Sequence, residues 1–270
     1  MDLYLLLLGL LGFFPFRFEM KEVKTLNNLL KTERYQIFHN RTYWLSVFMV
    51  FMLGFFTAPT YRSEIFGPRE ETAQTLSDIL NGMIYDSTFL LIIVSSVLAL
   101  ILGQEFSRRT IQHEITAGHS RLTVFLSKVI VYLAAFNILA LVFPAAGCIR
   151  EFFHYGVLDL GSFFSAFVRA SFYSFLFNSP VLLIPVLCCF GLRNMSKALS
   201  VTALAAFVSS LYLGYGMMLK LPVRFLPTFQ IRQAISTTGP LTFESLAVAF
   251  CWGTVLLSVS WNIFRRCDLT

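Results

Sequence analysis

Hydrophobic and polar positions are distributed along this chain in long blocks, not in short alternation. A membrane span needs about 20 mostly apolar residues. Six stretches fit that pattern: Thr42–Pro59, Ile84–Gly103, Leu122–Cys148, Phe172–Leu192, Ala198–Met218 and Leu241–Phe264. The third is long enough to tilt or to begin outside the hydrocarbon. Ahead of them, Lys21–Arg41 carries Val23, Leu26, Leu29, Leu30, Ile37 and Phe38 at helical spacing among Lys, Glu and Asn. That periodicity predicts a basic amphipathic helix of the kind that lies in the headgroup plane. The expected fold is therefore an all-α membrane protein. It would have six transmembrane helices, an N-terminal interfacial helix, and two units: a leader (1–41) and a membrane unit (42–270).

The first residues fit neither class. Leu3–Phe16 is apolar but too short to span, and it lacks the basic start and the cleavage signal of a signal peptide. Either it forms an interfacial helix, or translation begins at Met20.

Composition agrees with the blocks. The chain of 270 residues is 56% hydrophobic and 13% charged, whereas a soluble domain carries roughly 25% charge. Much of the surface must face lipid, and 30 phenylalanines suit that surface. The net charge of +6 does not point to nucleic acid, because the basic residues sit beside the apolar runs. On one side of the predicted membrane lie Arg17, Lys21, Lys24, Lys31, Arg34, Arg41, Arg108, Arg109, Arg121, Lys128, Arg193, Lys197, Arg265 and Arg266. On the other lie Arg62, Arg69, Arg150, Arg169, Lys220, Arg224 and Arg232. The positive-inside rule then puts both termini in the cytoplasm. Lys128 and Arg169 are expected to snorkel to the headgroups.

The stretch Gln104–Lys128 is the most informative. Phe106, Ile111 and Ile115 give an apolar side to a short helix, and Arg108, Arg109, Gln112 and Glu114 a polar one. Gly118 suits a left-handed C-cap. Ser120 offers an N-cap oxygen to the helix that becomes span three. The chain thus leaves the membrane, makes a short polar helix, turns and re-enters.

Four pieces in order then resemble the ABC-2-type permeases of ABC transporters. They are Leu29–Arg34 in the leader, Gly103–Phe106 closing span two, Arg109–Ile111 with Gly118–Arg121 and Lys128, and Phe264–Asp268 after span six. Small members serving peptide export or immunity to antimicrobial peptides look most similar. The resemblance implies a permease subunit in the cell membrane, paired with a second permease copy and with separate ABC ATPase subunits. It further implies that Glu105, Phe106, Arg108, Arg109, Thr110, Ile111, Glu114, Gly118 and Arg121 form the cytoplasmic coupling segment. One departure stands out: many members have Gly where this chain has Arg109.

Enzyme chemistry has no visible home. A Walker A pattern is absent from the sequence, so ATP hydrolysis would belong to a partner. Glu70–Glu71, Gly161–Ser162, His39, His113, His119 and His154 make no convincing catalytic or metal-binding set. The five cysteines include no CxxC pair, so neither a disulfide framework nor a zinc site is expected, and no cofactor is implied.

Polar groups at membrane depth are Asn137 and Asn178, the latter followed by Pro180 and Pro185. They either line a bent transport path or bond between helices for roughly 0.6–2 kcal/mol each. Small residues in span five, Ala203, Ala205, Ala206, Gly214 and Gly216, predict close packing against span two or against a second permease. The Pro-containing segment Leu219–Pro240 is expected to cap the path or simply to fold as a loop. Two further functions fit the same pattern. A gradient-driven transporter would need central carboxylates, yet Asp86 and Glu244 sit only near span starts. A membrane scaffold or sensor would share the docking helix without a path.

Overall fold

A computed structural model describes residues 20–64, 72–156, 160–236 and 241–267, with side chains from Thr25 onward. The readings made above for Leu3–Phe16, the start at Met20 against Met1, Glu70–Glu71, Arg69, Pro240 and Asp268 therefore lie wholly or partly outside the described residues. Among the described residues the chain is helical, without strands. In order, the helices are α1 Met20–His39, α2 Arg41–Thr57, α3 Thr60–Ser63, α4 Leu76–Tyr85, α5 Thr88–Ser107 and α6 Thr110–Thr116. There follow α7 Arg121–Tyr155, α8 Leu160–Leu192, α9 Met195–Met218, α10 Pro227–Ser236 and α11 Phe243–Arg266.

Five of these, α5, α7, α8, α9 and α11, are long and apolar enough to cross a membrane. The predicted first span is α2, which is apolar but has 17 residues. The second span begins at Thr88, because Ile84 belongs to the separate helix α4. The amide of Asp86 closes that helix on the carbonyls of Gly82 and Ile84.

Polar caps set most helix starts. Asn40 separates α1 from α2 and accepts from the Thr42 amide at 2.9 Å. Thr75 and Asp78 form a reciprocal capping box on α4. Ser120, Asn194 and Thr242 cap α7, α9 and α11, each side chain accepting from the amide three residues on.

The core is organised around α7. It has 35 residues, about 52 Å at 1.5 Å per residue, against a hydrocarbon layer of about 30 Å. In its most apolar stretch 67% of positions are buried, against 22% in α9 and in α11. Helices α1, α2, α4 and α8 pack on it, and α9 packs on α5. The amphipathic leader thus turns its apolar stripe inward. Leu26, Leu29, Leu30 and Ile37 are buried in the main core, so protein rather than acyl chain covers them.

The small-residue reading of span five holds in part. Ala198, Thr202 and Ala206 are buried, and at the contact with α5 a Cβ on Gly103 would meet the Met195 backbone at 3.0 Å. Gly214, by contrast, has open space beside it.

The third and fourth spans extend beyond their predicted ends. The intervening segment Ile149–Ser171 is mostly helix, because α7 runs on to Tyr155 and α8 starts at Leu160. Helix α7 is capped at Gly156, whose φ of 63° is left-handed and suits a residue without Cβ. These two helix ends carry exposed Phe152, Phe153, Leu160 and Phe164.

The segment after α9 folds as α10, with Ile231 and Ile235 buried against α4 and α8. Arg232 ties it down, donating to the Tyr85 carbonyl at 3.1 Å and to Asp86 at 3.3 Å. On the same end of the bundle Arg62 holds Glu151 of α7 at 2.5 and 3.1 Å.

The tightest backbone approach is at Gly54 of α2, where a Cβ would lie 2.3 Å from the Phe143 carbonyl oxygen. Gly54→Ala should cost about 1–3 kcal/mol of stability by forcing α2 from α7. Gly214→Ala should change stability by less than about 0.5 kcal/mol. Thermal unfolding of both variants in detergent checks the pair, and equal behaviour would refute the packing assigned to α2.

Candidate functional site

The two ends of the bundle differ in what they bury. At the α6 end a single cation sits among three carboxylates. Lys128 lies two turns into α7 and its side chain is fully buried. Its Nζ donates to Glu33 of α1 at 2.6 Å, to Glu105 of α5 at 2.5 Å and to Glu114 of α6 at 3.2 Å. An ammonium has three donors, and all three are used. Tyr132, one turn further along α7, donates to the second oxygen of Glu105.

Lys128 therefore does not snorkel to the headgroups as the sequence suggested. Three acids from three helices meet it inside the protein, which removes any reason for the stem to extend outward. The ion pairs join the leader, the end of span two, the polar helix and span three at one point. Burial, reinforced by the charges of Glu105 and Glu114, pushes the Glu33 carboxyl up to about 8 against the opposing pull of Lys128. One proton retained on Glu33 lowers the excess of negative charge around a single cation.

The turn from α5 to α6 is sharper than the sequence predicted. Phe106 does not share a helix with Ile111 and Ile115. It lies in the last turn of α5, where the Thr110 hydroxyl donates to the Glu105 carbonyl at 3.0 Å and satisfies a terminal acceptor. Arg109 then takes a φ of 57°, in the left-handed region. This is the position where the resembled family often has Gly, and Arg adopts the backbone that Gly would favour. Ile111 is buried and Glu114 reaches Lys128, so both face inward. Arg108, Arg109, His113 and Gly118 are exposed. Gly118 has a φ of 91° and Ser120 accepts from the Thr123 amide, as the sequence predicted for both. Arg121 anchors the other end of the chain, donating to the carbonyls of Arg265 and Cys267 at 2.9 Å each.

The sequence-predicted coupling residues thus separate into two groups. Glu105, Ile111 and Glu114 belong to the interior, and Phe106 packs against the core. Arg108 and Arg109 face outward. Glu33, Lys128 and Tyr132 were missed as one unit. The available signal was the Lys128–Tyr132 spacing of one helical turn inside an apolar run, which places two polar groups on one face.

At membrane depth Asn137 donates to the Ser179 hydroxyl of α8 at 3.0 Å and to the Leu133 carbonyl at 2.8 Å. Asn178 donates instead to Ser174, one turn back on its own helix, at 2.9 Å. Pro180 and Pro185 both lie inside α8 and are buried. The bond between helices is thus made by Asn137 and not by Asn178.

Among the described residues no group of three or more His, Cys, Asp or Glu side chains is placed to hold a metal ion. Comparison with known families matches residues 29–212 to the family described as ABC-2 family transporter protein. The matched stretch contains Glu33, Glu105, Glu114 and Lys128. No curated protein matches the chain.

Removing the cation leaves buried carboxylates unpaired. Lys128→Met should therefore lower stability by about 3–5 kcal/mol, read as reduced folded yield and an earlier unfolding transition. For Glu33, folding takes up a proton between pH 4.5, its unfolded value, and about 8, its folded value. Its contribution is complete below the lower value and is lost as pH rises through the upper one. The unfolding temperature should therefore fall from pH 5 to pH 9, and Glu33→Gln should flatten that slope. An unaltered slope in the variant assigns the titration elsewhere.

Proposed function

The chain belongs to the ABC-2 family of transporter proteins, as a membrane-spanning permease subunit of an ABC transporter, and we propose that a separate ATPase subunit drives it by docking on α6. The observation that carries this reading is the two-sided construction of that helix. Its inner side is fixed to Lys128 through Glu114 and to the core through Ile111. Its outer side and the preceding turn offer Arg108, Arg109 and His113 to solvent. A force applied outside is delivered directly to α5 and α7, because Glu105 and Lys128 share the same ion pairs.

The finer assignments follow from the same premise. Helix α2 is the sixth span: its 17 residues reach the lower limit of about 17 for crossing a bilayer. The excess of Lys and Arg at the α6 end puts that end, and both termini, in the cytoplasm. A second permease copy covers part of the exposed apolar faces of α9 and α11. The transport path runs along α8, where Pro180 and Pro185 remove backbone donors beside Asn178 and Asn137. Its substrate is a peptide or another amphiphile, moved outward, which suits walls rich in phenylalanine.

The first test is an affinity pull-down of the tagged chain in mild detergent. A stoichiometric soluble partner bearing a Walker A motif is expected, and its reproducible absence counts against the reading. The second uses Arg109→Glu with His113→Glu, both exposed and outside the cleft between α1, α2 and α5. The double variant should reach the membrane and unfold at the normal temperature, yet lose the partner and at least about 90% of transport-linked ATP hydrolysis. Ordinary hydrolysis in that variant would remove α6 from the coupling role.

A further inference from the structure

A cleft of ≈ 530 Å³ opens where the end of α1, the start of α2 and the end of α5 meet. Its size is that of a small-molecule site. Ile37 and Ile101 line its apolar part, and Arg41, Arg108, Gln104 and Asn40 its polar part. Both arginines are exposed, and among the described residues neither has an ion-pair partner. Glu105 and His39 also border the cleft. The Glu105 oxygens are occupied by Lys128 and Tyr132, and the His39 ring is bound to the Tyr35 carbonyl at 2.9 Å. The two guanidiniums are thus the charges left without a counterpart.

The surroundings fix the depth of the cleft. Tyr35, Phe38 and Trp44 are exposed beside it, at 63%, 38% and 53%. The Trp44 indole donates to the Phe38 carbonyl at 2.6 Å, so its polar edge is satisfied while its ring faces outward. Exposed Tyr and Trp at the end of an apolar helix mark the headgroup level of a bilayer. A basic cleft between helices at that level matches an anionic headgroup, with the apolar floor beneath for the start of an acyl chain. We infer that this cleft binds the phosphate headgroup of an anionic phospholipid, held by Arg41 and Arg108. Arg41 begins α2 and Arg108 closes α5, so the bound lipid bridges the first two membrane helices at the turn that leads into α6.

The test uses the intact chain, purified free of any ATPase subunit and stripped of lipid. Its unfolding temperature is measured with phosphatidylglycerol, with phosphatidylcholine and with inorganic phosphate. Phosphatidylglycerol should raise it by about 3 °C or more beyond phosphatidylcholine. Arg41→Gln with Arg108→Gln should abolish that increment and leave the phosphatidylcholine value unchanged, whereas Arg266→Gln should retain it. An increment that survives the double substitution overturns the proposal. So does an equal rise with inorganic phosphate, which would make this a site for soluble anions. A photoactivatable phosphatidylglycerol analogue on the unmodified chain provides an independent reading. Labelled peptides should include Tyr35–Thr42, and labelling confined to α9 and α11 refutes the site even if the double variant fails to fold.

Discussion

Everything at the α6 end depends on one buried cation. Taking an ammonium out of water costs several kcal/mol, and Lys128 recovers that only because each of its three donors meets a carboxyl oxygen. The acids come from α1, α5 and α6, three helices that would otherwise share little contact. A hydrophobic cluster tolerates sliding, since apolar contacts are non-directional. A set of charge-assisted hydrogen bonds does not. The network therefore fixes the register of four helices where apolar packing alone would leave it loose. It also explains why α1, amphipathic and basic, lies against protein: Glu33 must reach a cation inside the bundle.

The apolar blocks made the helices legible, because burial in lipid and burial in protein demand the same residues. That identity is also why the boundaries were less legible. The sequence between Cys148 and Phe172 reads as a break between spans, yet two helices, each over 30 residues long, run into it from either side. Local chemistry was readable where a single residue decides the backbone, as at Gly118 and Ser120. It was not readable where partners come from distant positions. Nothing near Lys128 in sequence announces Glu33, 95 residues away, and a lone Lys near a span end reads as a snorkelling one. Arg109 stands where the resembled family often has glycine, yet nothing in its own side chain announces that it keeps the left-handed backbone.

The opposite end uses a different device. Arg232 and Arg62 each hold one acid across helices, with Asp86 pulled between burial, which raises its carboxyl, and the Arg232 charge, which lowers it. These pairs are partly open to solvent, so each contributes less than the Lys128 set. The bundle is thus pinned firmly at one end and more loosely at the other, with α9 and α11 exposing most of their surface between.

Helix α7 takes part in both arrangements. Lys128 near its start and Glu151 near its finish are 23 residues apart, about 35 Å along one axis. The bonds at the two ends are 2.5–3.2 Å long, and a hydrogen bond is lost beyond about 3.5 Å. A slip of one residue's rise, about 1.5 Å, would unseat both ends together. The helix behaves like a bolt with a detent at each end, so its travel is indexed in steps.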